Sequence, residues 1–530
     1  MGRRALLVLT VAALLATGCG DDGGGEDADR AAGALVYLPS DADLVALLST
    51  DLSGDAWSSL SDASGSDESP EAAVSEEARS LGLDYEEDVA PLLGNDVAIS
   101  VRDLPSLLDA GPEEEEPEIV AAWETRDADA LVRLVERLGG VRSGEIAGAT
   151  TYRLEELGGG SVAVDGATLV VALTEGALEE ALRRSDGGDG LEAEQLAGSL
   201  DDLPADAPIR IHGDATSAAG IPELRRFAGL PWVDALRSFG LALSAGEAEL
   251  RLDALLRTDG DGLDEDDLPL EAGEETPEVA DMADVLAGGN RNQSRTTVFL
   301  LRAVRHAFPN SRFVRDVEEL ERELGLDFKD EILRQFDGPS VSVVDPDGEG
   351  FAARSEVSDP DALREAMRAL APRLPRLIED LEALQPAGMA LLFLLAPDAP
   401  VTMQALTGVQ IEEPETEDEL YRVTGLGGDG PDELHFGVVG DVFVIGSSEE
   451  RARAISEVET VEAEGARGAG VVRFTGDELR GGTAGPFGLG PASCAELGIE
   501  ERPCEELVAS AEASLDGIRV RVRLKVGEEE

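Results

Sequence analysis

The chain has 530 residues, 42% of them hydrophobic, with 43 basic against 111 acidic side chains and a formal net charge of -68. That length and apolar content support two to four domains with substantial cores. The charge excludes a nucleic-acid partner, because such binding needs basic patches that displace phosphate counterions.

At the start, Arg3 and Arg4 precede an apolar run from Ala5, closed by Ala16-Thr17-Gly18-Cys19. A charged start, a short hydrophobic stretch and small residues before the cut make a secretory signal, and a cysteine just after it can carry lipid. Residues 1–18 are therefore expected to be a lipoprotein signal peptide and Cys19 the lipidation site. The rival reading is a secretory signal cut nearby without lipid. A membrane anchor is poorer, since the run falls short of the roughly 20 apolar residues a span needs. Two acyl chains would supply on the order of 20 kcal/mol gross, and repulsion from anionic lipid is screened beyond roughly 8 Å. Membrane attachment on the extracytoplasmic face is the expected location.

Residues 19–31, rich in Gly and Asp, lack apolar side chains to offset the entropy of ordering and read as a flexible acidic tether. A first folded unit is expected over 32–259. In it, Val97 to Val101 reads as a strand and the acidic run Glu113 to Glu116 as a solvated loop. Asp127 or Asp129 can cap a helix through Glu136 that lines up Leu131, Leu134, Val135 and Leu138. Leu169-Val170-Val171 reads as a strand leading to a helix with Glu175, and Leu250-Arg251-Leu252 alternates as a half-buried strand does. An acidic linker is expected over 260–290, carrying Asp264-Glu265-Asp266-Asp267.

The same landmarks then return in the same order. Leu81-Gly82-Leu83-Asp84-Tyr85 recurs as Leu324-Gly325-Leu326-Asp327-Phe328, and Asp127-Ala128-Asp129-Ala130-Leu131 as Asp359-Pro360-Asp361-Ala362-Leu363. Tyr152-Arg153 matches Tyr421-Arg422, and Gly166 before Leu169 matches Gly440 before Phe443. A second unit is expected over 291–527, with an insertion at 372–418 that holds the apolar Met389 to Ala396. Short Gly-rich turns such as Gly158-Gly159-Gly160 imply antiparallel pairing. The expected fold is α+β in two homologous units, each a largely antiparallel sheet with helices on one face.

The paired units, the opening Val36-Tyr37-Leu38-Pro39-Ser40-Asp41-Ala42 and the segment from Leu81 to Gly94 resemble domain of unknown function family 3352. The resemblance implies an exported bacterial protein and supplies no catalytic residues.

Cys494 and Cys504 remain once Cys19 is assigned to lipid, and an even pair in an exported chain suggests a disulfide, with two free thiols as the rival. Such a ring would contribute about 2–3 kcal/mol in the chain-entropy model. His212, His306 and His435 are scattered without zinc-site spacing, and structural or surface roles are expected for them. Trp57, Trp123 and Trp232 read as core or interface anchors. Asp259-Gly260-Asp261-Gly262 and Asp345-Pro346-Asp347-Gly348 suit calcium less well than ordinary turns, since neither completes a ligand loop. No Gly-x-Ser-x-Gly elbow or Lys-bearing phosphate loop is present. The sequence thus argues for no cofactor, no metal and no enzyme. The leading expectation is a tethered interaction or structural module that presents acidic surface to a basic protein or cell-envelope component. A carrier of lipid or another hydrophobic ligand is the alternative, and a hydrolase stands third.

Overall fold

Strands with apolar side chains at both parities need cover on both faces, and the central strands of this chain are of that kind. In β2 (Val97–Arg102) the first five side chains are buried, and so are the inner five of β3 (Glu118–Glu124). The computed structural model describes residues 30–52, 54–63, 69–104, 118–154, 161–217, 224–246, 248–345, 350–377, 409–416, 419–425, 433–475 and 504–527. Cys19, Cys494 and the side chain of Cys504 lie outside the described residues, as do the loop at Glu113 to Glu116, the Gly158 to Gly160 turn and the Met389 to Ala396 run.

The fold is mixed α and β, with antiparallel sheet, in two units: residues 1–221 with 237–257, and residues 222–236 with 258–530. Unit 1 adds β1 (Leu44–Leu48), β4 (Val141–Ile146), β5 (Ala149–Arg153), β6 (Ser161–Asp165), β7 (Thr168–Ala172), β8 (Ile209–Asp214), β9 (Leu236–Gly246) and β10 (Glu249–Thr258). Its strands run β10-β9-β8-β1-β2-β3-β7-β6-β5-β4, antiparallel from β9 to β4.

Helices cover both faces of this sheet, which corrects the expectation of one. Against Val97, Ile99, Ala121 and Trp123 lie α1 (Asp55–Ala63), α2 (Pro70–Ser80) and α3 (Ala128–Arg137). Against Ala98, Val120, Ala122 and Ala172 lie α4 (Glu175–Gly187) and α5 (Ala193–Leu200), through Leu178, Leu182 and Leu196. The alternate residues of one strand thus feed two cores. The second face is rich in alanine, which lets helices approach the sheet closely.

Unit 2 carries β11 (Glu278–Ala280), β12 (Leu286–Asn290), β13 (Ser340–Val344), β14 (Phe351–Glu356), β15 (Gln410–Glu412), β16 (Tyr421–Thr424), β17 (Glu433–Val439), β18 (Val442–Gly446), β19 (Thr460–Glu462), β20 (Gly470–Thr475), β21 (Cys504–Ser514) and β22 (Gly517–Val526). Its main sheet runs β22-β21-β20-β12-β13-β14-β18-β17-β16-β15, the same ten-strand order as unit 1, while β11 and β19 pair separately. One face packs α6 (Gln293–Ala307), α7 (Arg312–Leu324) and α8 (Pro360–Leu370). The other packs α9 (Glu449–Ile455) and β11.

The repeated Leu-Gly-Leu-Asp segments fold alike. Gly82 and Gly325 each end a helix with a positive φ, 75° and 66°, a conformation glycine adopts without a Cβ clash. Asp84 then accepts from Glu87 N–H while Asp88 accepts from Asp84 N–H at 2.8 Å. Likewise Asp327 accepts from Asp330 N–H and Glu331 accepts from Asp327 N–H at 2.6 Å.

Three expected boundaries differ. The tether expected over 19–31 ends early, because Ala31 is buried in the unit 1 core. The linker expected over 260–290 holds β11 and β12, with Leu268, Leu270 and Val279 buried. The insertion expected over 372–418 contains β15, the partner of β16, with Leu377 buried in the α6–α8 core. In each case local charge or glycine content hid a few well-placed apolar residues.

Leu178→Ala is expected to cost about 2–5 kcal/mol, as for other buried truncations. Val141→Ala, at an edge position that is 65% exposed, should cost less than about 0.5 kcal/mol. Urea unfolding midpoints measure both, and equal effects would contradict a core on the α4 face.

Candidate functional site

The three histidines are built into separate parts of the fold. His212 on β8 has Nδ1 2.5 Å from Ser199 Oγ, and that hydroxyl also lies 3.1 Å from the Leu196 carbonyl. One hydrogen arrangement satisfies both contacts: the imidazole N–H donates to the hydroxyl, which donates to the carbonyl. Ser199 is 0% exposed, so this pair does not offer a nucleophile to a substrate. Burial pushes the His212 pKa down, opposed by the charge of Asp214. His306 Nε2 meets the Ala228 carbonyl at 2.6 Å. His435 on β17 is buried, with Nε2 3.1 Å from Glu433. Hydrogen bonds from His435 and then Arg422 hold the Glu433 carboxyl below its usual range.

Among the described residues no group of three His, Cys, Asp or Glu side chains is placed to hold a metal ion. Asp259 closes its own turn by accepting from Asp261 N–H at 3.2 Å, and Asp345 takes both guanidinium nitrogens of Arg451 at 3.0 and 2.6 Å. Trp57 and Trp123 donate to the carbonyls of Ser49 and Asn95. Trp232 is buried in unit 2, edge-on to Phe299 with ring centroids 6.3 Å apart.

The opening motif of unit 1 anchors a charged network. Tyr37 donates to Asp165 at 2.9 Å, and its own carbonyl accepts from Arg184 at 3.3 Å. Glu118 is shared between Arg184 at 3.1 Å and Arg102 at 2.9 Å, and Arg102 also reaches Asp41. Leu191 N–H donates to the Leu38 carbonyl, and a Cβ on Gly190 would stand 2.1 Å from the Val36 carbonyl oxygen. The backbones meet there because residue 190 has no side chain. Burial, reinforced by Asp165, pushes the Tyr37 hydroxyl up to about 12.

A cleft of about 280 Å³ opens in unit 2 between α8, residues 413–416 and 419, and strands β16 and β17. On α8, Arg364 and Arg368 stand one turn apart with the buried Met367 between them. Arg364 is fixed by Asp361 at 2.9 Å and by the Gly440 carbonyl at 2.8 Å. Glu413, Glu415 and Glu419 also line the cleft, and Glu419 accepts from Glu415 N–H at 2.8 Å. Tyr421 and Val438 supply an apolar floor. The Tyr421 ring stacks on Phe436 at 5.1 Å and 11°. Tyr421 is only 5% exposed. Burial raises its pKa, with Glu413 raising it further and Arg368 opposing. The hydroxyl therefore sits in the field of both walls.

Sequence reasoning missed this cleft. The signal lay just past a matched landmark: Asp127 to Leu131 aligns with Asp359 to Leu363, after which unit 1 has Val132 and Glu136 where unit 2 has Arg364 and Arg368.

No protein-family model matches the chain, and no curated protein matches it. Solved structures of TP0453 are similar in part. Crystal form IV is 14% identical over 44% of this chain and 83% of that chain, with a TM-score of 0.26. Form III is 13% identical over 44% and 82%, with a TM-score of 0.26, and form I is 12% identical over 44% and 81%, with a TM-score of 0.25. Likeness at this level carries no conclusion about fold or function.

The network at Tyr37 sets a pH dependence. The unfolded chain releases the tyrosine proton near 10 and the folded chain near 12. The folded state thus holds more protons between those values, and its stability is complete below pH 10 and falls as pH rises through 12. Tyr37→Phe should flatten that fall in urea midpoints measured across the window; an unchanged slope would remove Tyr37 as its source.

Proposed function

We propose that this chain is a lipid-anchored extracytoplasmic protein, non-enzymatic, whose two homologous α+β units form an interaction or structural module of the cell envelope. The observation that carries the anchor is Ala16-Thr17-Gly18-Cys19 behind a charged and apolar start. The shared ten-strand order and the matched carboxylate-capped turns support descent of the two units from one ancestral unit. A net charge of -68 favours a basic partner through complementary surface potential.

The use of polar groups supports binding over catalysis. Ser199 and His212 satisfy each other inside unit 1, Asp345 is committed to Arg451, and Glu118 to two arginines. A hydrophobic carrier has less support. Within each unit the space between sheet and helices is filled by buried aliphatic and aromatic side chains. The cleft of 280 Å³ has a charged rim, a poor host for an acyl chain.

Native protein should partition into detergent and yield a diacylated N-terminal peptide, whereas Cys19→Ser should stay in the aqueous phase. Recovery of wild-type chain from cytosol with Met1 attached would overturn the anchor. The same native protein should retain a basic envelope partner at low salt and release it at high salt, and an empty pull-down would count against the interaction reading. Non-reducing peptide mapping should recover Cys494 linked to Cys504.

A further inference from the structure

We infer that strand β4 is the docking edge for a second copy of this chain, whose own β4 pairs with it antiparallel about a two-fold axis. The inference goes beyond the proposed envelope role and does not depend on the lipid anchor. Among the described residues β4 pairs with β5 alone, so its outer edge leaves backbone N–H and C=O groups open to another strand. Every residue from Val141 to Glu145 is exposed, and Val141 leaves an aliphatic side chain 65% exposed at that edge.

The order of residues selects the occupant. Val141-Arg142-Ser143-Gly144-Glu145-Ile146, set against its own reverse, places apolar against apolar, cation against anion and small against small. An antiparallel pair centred between Ser143 and Gly144 therefore brings Arg142 opposite Glu145 of the second copy, and Val141 opposite Ile146 of the second copy. Two-fold symmetry makes each contact twice. An edge with charges of one sign repels its own copy; this one carries both signs, placed to meet.

A regular strand would spoil that match. Successive side chains alternate between faces, so Ser143 and Gly144 would point to opposite sides and every residue would meet one from the wrong face. The register between β4 and β5 instead shifts between Arg142 and Gly144, which makes Ser143 an extra residue. Arg142 lies opposite Tyr152 and Glu145 opposite Thr150, two positions apart on β5, so both stand on one face. Their ion pair at 3.9 Å agrees. Val141 opposite Arg153 and Ile146 opposite Ala149 share the other face, where Ser143 donates to Thr151 Oγ1 at 3.0 Å. The bulge thus makes the sequence of faces symmetric about the same centre as the sequence of side chains.

Unit 2 ends its sheet differently. There β15 stands in the place of β4 with three residues, and its Glu412 already meets Arg422 at 3.3 Å. So short an edge strand offers little to pair with. The six residues of β4 bury less than the roughly 1,200 Å² of a stable interface, so the pair between copies is weak and depends on concentration.

The test uses the full-length chain in detergent at physiological salt, where repulsion between two acidic chains is screened beyond roughly 8 Å. Sedimentation velocity should show a dimer that grows with concentration, and hydrogen exchange should slow over 141–146 in the same range but not over 410–412. Arg142→Glu and Glu145→Arg each set like charges opposite one another in both symmetric contacts. Each should weaken the dimer at least about tenfold with an unchanged melting temperature. Mixing the two variants sets the glutamates of one chain against the arginines of the other and should restore the dimer. That rescue cannot come from the pair within one chain, which is like-charged in both variants. A monomer at every concentration, undiminished association of either variant, or no rescue on mixing would each overturn the assignment. So would slow exchange over 141–146 at every dilution, which would mean that the same chain covers the edge.

Discussion

Two-sided burial of the central strands is the constraint from which the rest of each unit follows. A strand such as β2 cannot leave a face to water without exposing several aliphatic side chains, each worth about 1.5–3 kcal/mol when fully buried. The chain meets this by sending α1, α2 and α3 to one face and α4 and α5 to the other. Unit 2 does the same with α6, α7 and α8 on one side and α9 with β11 on the other. Antiparallel sheets often keep a solvated face, but these central strands lack the polar alternation that such a face requires.

Much of this was legible where local chemistry and global fold agree. The Leu-Gly-Leu-Asp segments announce a helix end, a glycine in the left-handed region and a capped turn, and both copies adopt that sequence of conformations. The aspartates at Asp127 and Asp359 cap the helices that follow them. Legibility failed where a strand is held by its neighbours rather than by its own propensity. Strand β12 contains Gly288 and Gly289 and follows an acidic stretch, so it reads as linker. A Cβ on Gly289 would stand 2.0 Å from the Glu278 carbonyl oxygen, and β12 lies between β13 and β20. The expectation of helices on one face came from strand pairs joined by short Gly-rich turns such as Gly158 to Gly160, which speak to pairing direction and not to the two-sided burial of β2 and β3.

The large acidic excess shapes the fold less than its size suggests. Exposed ion pairs such as Arg453 with Glu449 contribute at most about 1 kcal/mol each. The pair Arg210–Asp96 differs, with side chains only 8% and 4% exposed at 3.1 Å. Breaking it by removing one partner would leave a buried uncompensated charge, which costs about 3–5 kcal/mol. Arginine serves most of these contacts, in keeping with a planar fork that can hold two oxygens at once. The carboxylates left over face water, and their effect falls on solubility and on the choice of partner.

Against that background the α8 cleft brings Arg364 and Arg368 together with Glu413, Glu415 and Glu419. Placing arginines where unit 1 has Val132 and Glu136 does nothing for the core, since Met367 and Leu363 already fill the inward positions. Tyr421 stacks on Phe436, and an aromatic pair of this kind is worth about 0.5–1.5 kcal/mol beyond its buried area. On the proposed duplication, the carboxylate-capped turns and the strand order are common to both units, while the cleft charges distinguish one from the other.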